Sequence, residues 1–154
     1  MTEREYLDNL IARYPVLERE KEHIDAMFVI LRDCFAAGGK LVVCGNGGSA
    51  ADAEHIVGEL MKGFVKRRPI PDEEAALLRR VDPEKGEALA MALQQGLTAI
   101  ALDSHPGLNT AFANDVNGDM MYAQQVQGFG RPGDVLLGIS TSGNSANVLY
   151  AAVT

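Results

Sequence analysis

The 154-residue sequence has no tryptophan, only two cysteines, and fewer basic residues (14) than acidic ones (21). Two cysteines cannot form a disulfide framework, and an excess of acids argues against direct binding of nucleic acid. No apolar run approaches the roughly 20 residues that span a bilayer. The first ten residues contain acids where a signal peptide requires basic and then apolar residues. These absences predict a cytoplasmic protein that contacts neither membranes nor nucleic acids.

The hydrophobic residues, 47% of the chain, are sufficient for one domain with a sizeable core. Short, apolar segments rich in β-branched residues alternate with segments of helical periodicity, which is typical of βαβ units and a mainly parallel sheet. The predicted strands are 40–44, 98–102 and 134–139. The predicted helices are 2–14, 16–37, 49–64, 109–129 and one from 145 onward, and the turn signal Asn117-Gly118 interrupts the helix over 109–129.

Residues 70–95 interrupt this alternation. Two helix-start signatures, at 72–74 and 82–84, predict a helical hairpin inserted between the first two strands. The hairpin is interpreted as a structural insertion, with an active-site cover or a subunit contact as the alternatives.

A glycine-rich loop, Gly45-Asn46-Gly47-Gly48-Ser49, follows the first strand and precedes a helix that Ser49 is expected to cap. Backbone N–H groups at the start of a helix stabilise anions, above all phosphate. The loop matches neither the dinucleotide fingerprint nor the P-loop. A turn that binds no ligand is the alternative.

A second loop, residues 140–145, follows the third strand and contains three serines and one threonine. Hydroxyl donors beside free N–H groups suit a phosphate that is held by dipoles, since neither loop contains lysine or arginine. The alternative is ordinary helix capping by Ser142 or Ser145, although one cap needs only one hydroxyl.

Asp52, His55 and Glu59 are spaced by three and four residues on the helix that follows the first loop, so they share one stripe. A His-x-x-x-Glu pair can supply two metal ligands or a base with an orienting neighbour. A solvated surface pair is the alternative.

Asn114 and Asp115 carry an amide and a carboxylate that can hold sugar hydroxyls, or that simply turn the chain. His105, in the loop after the second strand, is equally interpreted as a ligand contact or a turn residue.

Together, the segments CGNGGSAADAEHIVGEL (44–60), AND (113–115) and GDVLLGISTSGNS (133–145) resemble the sugar isomerase (SIS) domain family. The branch that they resemble most is that of the phosphoheptose isomerases, which interconvert sedoheptulose 7-phosphate and a heptose 7-phosphate. The resemblance implies a single α/β domain over 1–154: a three-layer αβα sandwich with a flavodoxin-like, mainly parallel sheet and N-terminal helices over 1–37.

The resemblance also implies roles for individual residues. Glu59 would be the proton-transferring base, and His55 and Glu59 would be zinc ligands. The remaining family positions would bind a phosphorylated sugar, the phosphate being held by the serine-rich loop; they are Asn46, Gly47, Gly48, Ser49, Asn114, Asp115, Ser140, Thr141, Ser142 and Ser145. The family assembles as homotetramers whose sites are shared between subunits, and a homodimer is the alternative here.

Two departures from the family pattern qualify these expectations. The family continues into another strand and a C-terminal helix whose glutamine and histidine complete the zinc site and supply the general acid, and these are not in the sequence. We therefore expect an incomplete zinc site and no isomerase activity from this chain alone. The second departure is the hairpin.

The alternative function is a non-catalytic phosphosugar-binding protein or an adaptor of the type that associates with a replication initiator.

Overall fold

A computed structural model describes residues 2–154, so Met1 at the start of the predicted N-terminal helices lies outside the described residues. The longest described helix has 16 residues and is about 24 Å long. Within residues 2–154 no helix is both long enough and apolar enough to cross a membrane. The helices are α1 (Glu3–Arg13), α2 (Lys21–Ala36), α3 (Gly48–Met61), α4 (Asp72–Val81), α5 (Pro83–Ala92), α6 (Pro106–Phe112), α7 (Met121–Phe129) and α8 (Ala146–Val153).

Three strands form a parallel sheet in the order β2-β1-β3, and they are β1 (Leu41–Gly45), β2 (Ala99–Ala101) and β3 (Val135–Ile139). In the register of the sheet, Val42 of β1 lies between Ile100 and Leu136. The apolar sequence of β1 follows from its central position, because a strand that is covered on both faces has no solvent side. The predicted parallel α/β sheet is therefore confirmed.

The sheet separates two clusters of buried side chains. Leu41 and Val43 of β1 face α2 and α3, where Ala53 and Phe35 pack against them. Val42 and Cys44, the alternate residues of the same strand, face the other cluster, which includes residues of α7 and α8. Helices on both faces of one sheet make the three-layer sandwich that the sequence predicts. Cys34 and Cys44 are both buried free thiols, as their apolar neighbours indicate.

Asp134 connects the amino ends of β1 and β3. Its carboxylate accepts hydrogen bonds from the backbone N–H groups of Lys40 (2.9 Å) and Arg131 (2.7 Å), and it pairs with the Lys40 ammonium. Burial alone would raise the pKa of Asp134, but these hydrogen bonds outweigh it and lower the pKa. The carboxylate thus stays charged while it holds the edge strand against the centre of the sheet.

Two predicted helices differ in part from the structure. The helix predicted over 16–37 begins as a 3₁₀ turn at 15–20 and becomes α-helical only at Lys21. The helix predicted over 109–129 is interrupted at the expected turn signal, Asn117-Gly118, by a 3₁₀ turn at 118–120, but it also contains a π turn at 113–117 that was not predicted. It breaks there because the Asn117 side chain accepts a hydrogen bond from Asp119 N–H and starts a new turn.

The expected capping role of Ser49 is wrong. Gly47 occupies the N-cap of α3 with a φ of 57°, a left-handed conformation that favours glycine. Ser49 is instead buried in the first helical turn. A Cβ at Gly45 would lie 2.7 Å from the Ser49 Cβ, so glycine at position 45 allows α3 to pack tightly against the end of β1.

Helices α4 and α5 form a hairpin within the 70–95 segment. Asp82 caps α5 by accepting hydrogen bonds from the N–H groups of Glu84 (3.1 Å) and Lys85 (2.9 Å). Gly86 allows the helices to touch, since a Cβ there would come within 2.2 Å of the Leu78 carbonyl oxygen. At its base the hairpin is joined to α3 by the Arg68 guanidinium, which donates to the carbonyl oxygen of Leu60 at 2.6 Å.

Candidate functional site

Two loops meet at the carboxyl edge of the sheet, which is the edge where the parallel strands end. Gly45 and Ile139, the last residues of β1 and β3, are paired, so the loops that follow them start side by side. A Cβ at Gly47 or Gly48 would meet no atom within 4 Å, so the first loop is bordered by open space. This is the position where parallel α/β sheets bind ligands.

Serine hydroxyls converge in the second loop. The Oγ atom of Ser140 lies 2.9 Å from that of Ser145 and 3.4 Å from that of Ser142. Ser145 occupies the N-cap of α8, yet its side chain makes no capping hydrogen bond. The capping interpretation therefore fails for Ser145, and its hydroxyl faces the other serines. Ser142 does accept a hydrogen bond from Asn144 N–H, at 3.2 Å.

A reciprocal amide pair joins the two loop regions. Asn46 Nδ2 donates to Asn147 Oδ1, and Asn147 Nδ2 donates to Asn46 Oδ1, both at 2.8 Å. Beneath them the Tyr122 hydroxyl donates to the Gly45 carbonyl oxygen at 2.6 Å. Burial raises the pKa of Tyr122 to about 12, so it remains a neutral donor. The sequence did not predict the roles of Asn147 and Tyr122. Asn147 is 101 positions from Asn46, and Tyr122 is 77 positions from Gly45, so no local spacing pattern connects the partners.

We expect Asn147→Leu to separate the two loops, since leucine has a similar volume but cannot form either hydrogen bond. The free energy of unfolding should fall by about 1–2 kcal/mol, the usual contribution of two neutral hydrogen bonds. Urea denaturation measures this change. The control is a double-mutant cycle with Asn46→Leu, in which the second substitution should cost little more than the first. Fully additive effects would contradict a functional pair.

The loop after β2 brings Asp103, Ser104 and His105 to the same edge. Desolvation by burial raises the pKa of Asp103, and the Ser104 hydroxyl donates to a Glu54 carboxylate oxygen at 3.1 Å. The His105 ring packs on Phe129 with its centroid 5.4 Å away. This packing favours the structural interpretation of His105 over ligand contact.

Asn114 and Asp115 lie in the π turn and are exposed. Asn114 Nδ2 donates to Asp115 Oδ1 at 2.8 Å, so the two side chains hold each other. Single π turns occur frequently at functional sites. The sugar-binding role of this pair stays a prediction.

His55 and Glu59 face each other on α3, with His55 Nε2 3.7 Å from Glu59 Oε1. His55 is 76% exposed and Glu59 only 29%. The second carboxylate oxygen of Glu59, Oε2, is buried and has no hydrogen-bond partner among the described residues. Imidazole and carboxylate are suitable zinc donors. No group of three His, Cys, Asp or Glu side chains that could hold a metal occurs within residues 2–154.

Glu59 does not lie beside the two loops. Eleven residues separate it from Gly48, which corresponds to about 16 Å along the helix. The carbonyl oxygen of the next residue, Leu60, accepts from Leu97 N–H just before β2 begins. Glu59 is therefore near the amino edge of the sheet. Within one chain, the glycine and serine loops lie side by side, whereas Glu59, the expected base, lies away from both.

Comparison with known sequences gives one consistent result. Residues 5–110 match the SIS domain. A phosphoheptose isomerase from Methylibium petroleiphilum is 42% identical over 127 residues, which cover 82% of this chain and 50% of the relative. A phosphoheptose isomerase from Roseiflexus sp. is 37% identical over 149 residues, 94% of this chain and 62% of the relative. The chain thus spans between 50% and 62% of the length of these relatives.

Solved structures agree with the sequence comparison. The phosphoheptose isomerase GmhA from Neisseria gonorrhoeae superposes with a TM-score of 0.60 and 33% identity, covering 99% of this chain and 68% of that one. A phosphoheptose isomerase from Francisella tularensis superposes with a TM-score of 0.67 and 26% identity, covering 99% and 69%.

Proposed function

The chain belongs to the SIS-domain family, in its phosphoheptose isomerase branch, and from this premise we propose that it binds a phosphorylated sugar for aldose–ketose isomerisation. The observation that carries this proposal is the convergence of the Ser140, Ser142 and Ser145 hydroxyls beside the glycine loop. No acidic residue occurs in either loop to repel an anion. A phosphate is the ligand that such a set of neutral donors favours.

Within this site, the serine loop with Thr141 holds the phosphate, and the first loop with Asn114 and Asp115 holds the sugar. Backbone N–H groups at the starts of α3 and α8 add two positive helix ends. The amide pair between Asn46 and Asn147 fixes the separation of the two loops. The loops therefore lose less conformational entropy when a ligand binds. Sedoheptulose 7-phosphate is the proposed substrate, because the relatives are phosphoheptose isomerases.

The reaction transfers a proton from the carbon next to a carbonyl group to the neighbouring carbon. A carboxylate can remove that proton and return it, and we assign this role to Glu59. The side chain is 29% exposed, and its oxygen Oε2 has no hydrogen-bond partner among the described residues. His55 and Glu59 are also the proposed zinc donors. A bound zinc ion would stabilise negative charge on the sugar oxygens.

Because Glu59 is remote from its own loops, a second copy has to supply the base, and we propose a homotetramer or a homodimer. The surface supports this assembly. A groove of about 440 Å³ between α1 and α2 is lined mainly by apolar side chains, including Tyr6, Leu10 and Phe28. Large exposed apolar residues are typical of surfaces that associate. The cytoplasm, where buried cysteines stay reduced, is the proposed location.

Calorimetry with matched sugars tests the proposed function. We expect the 154-residue chain to bind sedoheptulose 7-phosphate and to show no comparable heat with unphosphorylated sedoheptulose. Glucose 6-phosphate tests how far the sugar itself is recognised. Absence of binding at millimolar phosphosugar would overturn the proposal and favour the non-catalytic adaptor.

A further inference from the structure

The α4–α5 hairpin carries an apolar surface that the rest of the described chain does not cover. Leu77 is 50% exposed, Val81 79% and Leu89 41%. Leu77 and Val81 are one turn apart, so they share a side of α4. Residues 75, 78 and 86 lie on the inner side of the hairpin, between α4 and α5, and are already buried or half-buried. Leu77 and Val81 are therefore on a second, outward side of α4, which we call the outer hairpin face.

Opposite charges lie at the two ends of this face. Glu73 and Glu74 are at the base of the hairpin, in the first turn of α4, and Arg80 is near its tip. Glu73 and Arg80 make no ion pair within residues 2–154, whereas Arg79 is already paired with Glu87. Glu73, Leu77 and Arg80 are spaced by four and three residues and so form one stripe. The stripe is acidic at one end, apolar in the middle and basic at the other.

We propose that the outer hairpin face docks on the same face of a second copy of this chain, with the two α4 helices antiparallel. A two-fold axis near Leu77 then places Glu73 of each copy against Arg80 of the other. Two symmetry-related Glu73–Arg80 ion pairs form in this arrangement. The two Leu77 side chains become the apolar centre between the charged ends, and Val81 of each copy lies just beyond its Arg80 at the end of α4. A parallel arrangement would instead bring like charges together, so the charge pattern selects one orientation.

The hairpin contact is small. Each helix has ten residues and is about 15 Å long, so the face is smaller than the roughly 800 Å² per partner of a stable interface. It therefore acts as an additional link between copies, and it adds to whatever interface completes the sugar site. The two ends of the hairpin segment are joined at its base, because Arg68 also donates to the Gln95 carbonyl oxygen at 2.9 Å. The contact does not depend on phosphosugar binding.

Cysteine cross-linking tests the proposed axis. A cysteine introduced by Leu77→Cys would lie beside its own copy across the axis, within disulfide range, and should cross-link under mild oxidation. Ala76→Cys is the matched control. Position 76 is exposed like position 77, but its side chain points about 100° away from that of Leu77 around the helix. The native Cys34 and Cys44 are buried and give little background. Equal cross-linking of both variants, or of neither, would overturn the proposal.

Charge exchange tests the antiparallel orientation. In the Leu77→Cys background, Glu73→Arg should slow cross-linking by roughly ten-fold, because it replaces two attractions with two repulsions. Adding Arg80→Glu should restore the rate, since the exchanged charges pair again. Lys66→Glu, an exposed change outside the hairpin, is the control and should leave the rate unchanged. If the double exchange is as slow as Glu73→Arg, the proposed pairing is wrong.

Discussion

Replacing Glu59 with glutamine is expected to abolish proton exchange at the carbon next to the substrate carbonyl. Glutamine keeps the size of the side chain but cannot accept a proton, and removal of a general base typically slows the step by about 10²–10⁴-fold. The measurement is deuterium incorporation from D₂O into sedoheptulose 7-phosphate, followed by NMR. Exchange requires removal and return of one proton but not the complete isomerisation, so it reports on Glu59 more directly than product formation does.

Glu54→Gln is the matched control, because Glu54 lies on the same helix and its carboxylate contacts Ser104. It should leave exchange within a few-fold of the original chain. Phosphosugar affinity should be nearly unchanged in Glu59→Gln, since the serine hydroxyls hold the phosphate and glutamine keeps the size of the side chain. Exchange that persists in Glu59→Gln, or that is absent from the unsubstituted chain, would contradict the assignment of the base.

The second large effect is expected from removing the serine hydroxyls. The triple substitution Ser140→Ala, Ser142→Ala and Ser145→Ala should weaken phosphosugar binding by at least about 100-fold. A hydrogen bond to a charged group contributes about 1.5–3 kcal/mol, so the loss of even two is sufficient. Calorimetry with sedoheptulose 7-phosphate measures the loss.

Thr98→Ala removes a hydroxyl at the opposite edge of the sheet, just before β2, and should leave affinity unchanged. Circular dichroism should show the same helical content in the triple variant, because the Ser145 side chain makes no capping hydrogen bond to α8. An affinity within three-fold of the original would mean that the phosphate is bound elsewhere, and the proposed orientation of the substrate would then be wrong.

Local signals in the sequence were sufficient for the main elements. The strands were predictable because β1 is apolar on both faces, and the starts of α4 and α5 because acids and proline mark first turns. The π turn at 113–117 was not predictable, since it depends on how α6 and α7 fit against the sheet. The capping expectation for Ser49 failed because the close approach of α3 to β1 buries that residue.

The sequence by itself determined which chemistry is present: neutral donors in two loops, and an imidazole and a carboxylate on one helix. These features are local, because loop composition and helical spacing depend only on nearby residues. Tertiary structure decided which of them meet. The pairing of β1 with β3 brings Asn46 to Asn147, while the direction of α3 takes Glu59 toward the other edge. Contacts between distant residues arise from packing of whole elements, which no short pattern contains.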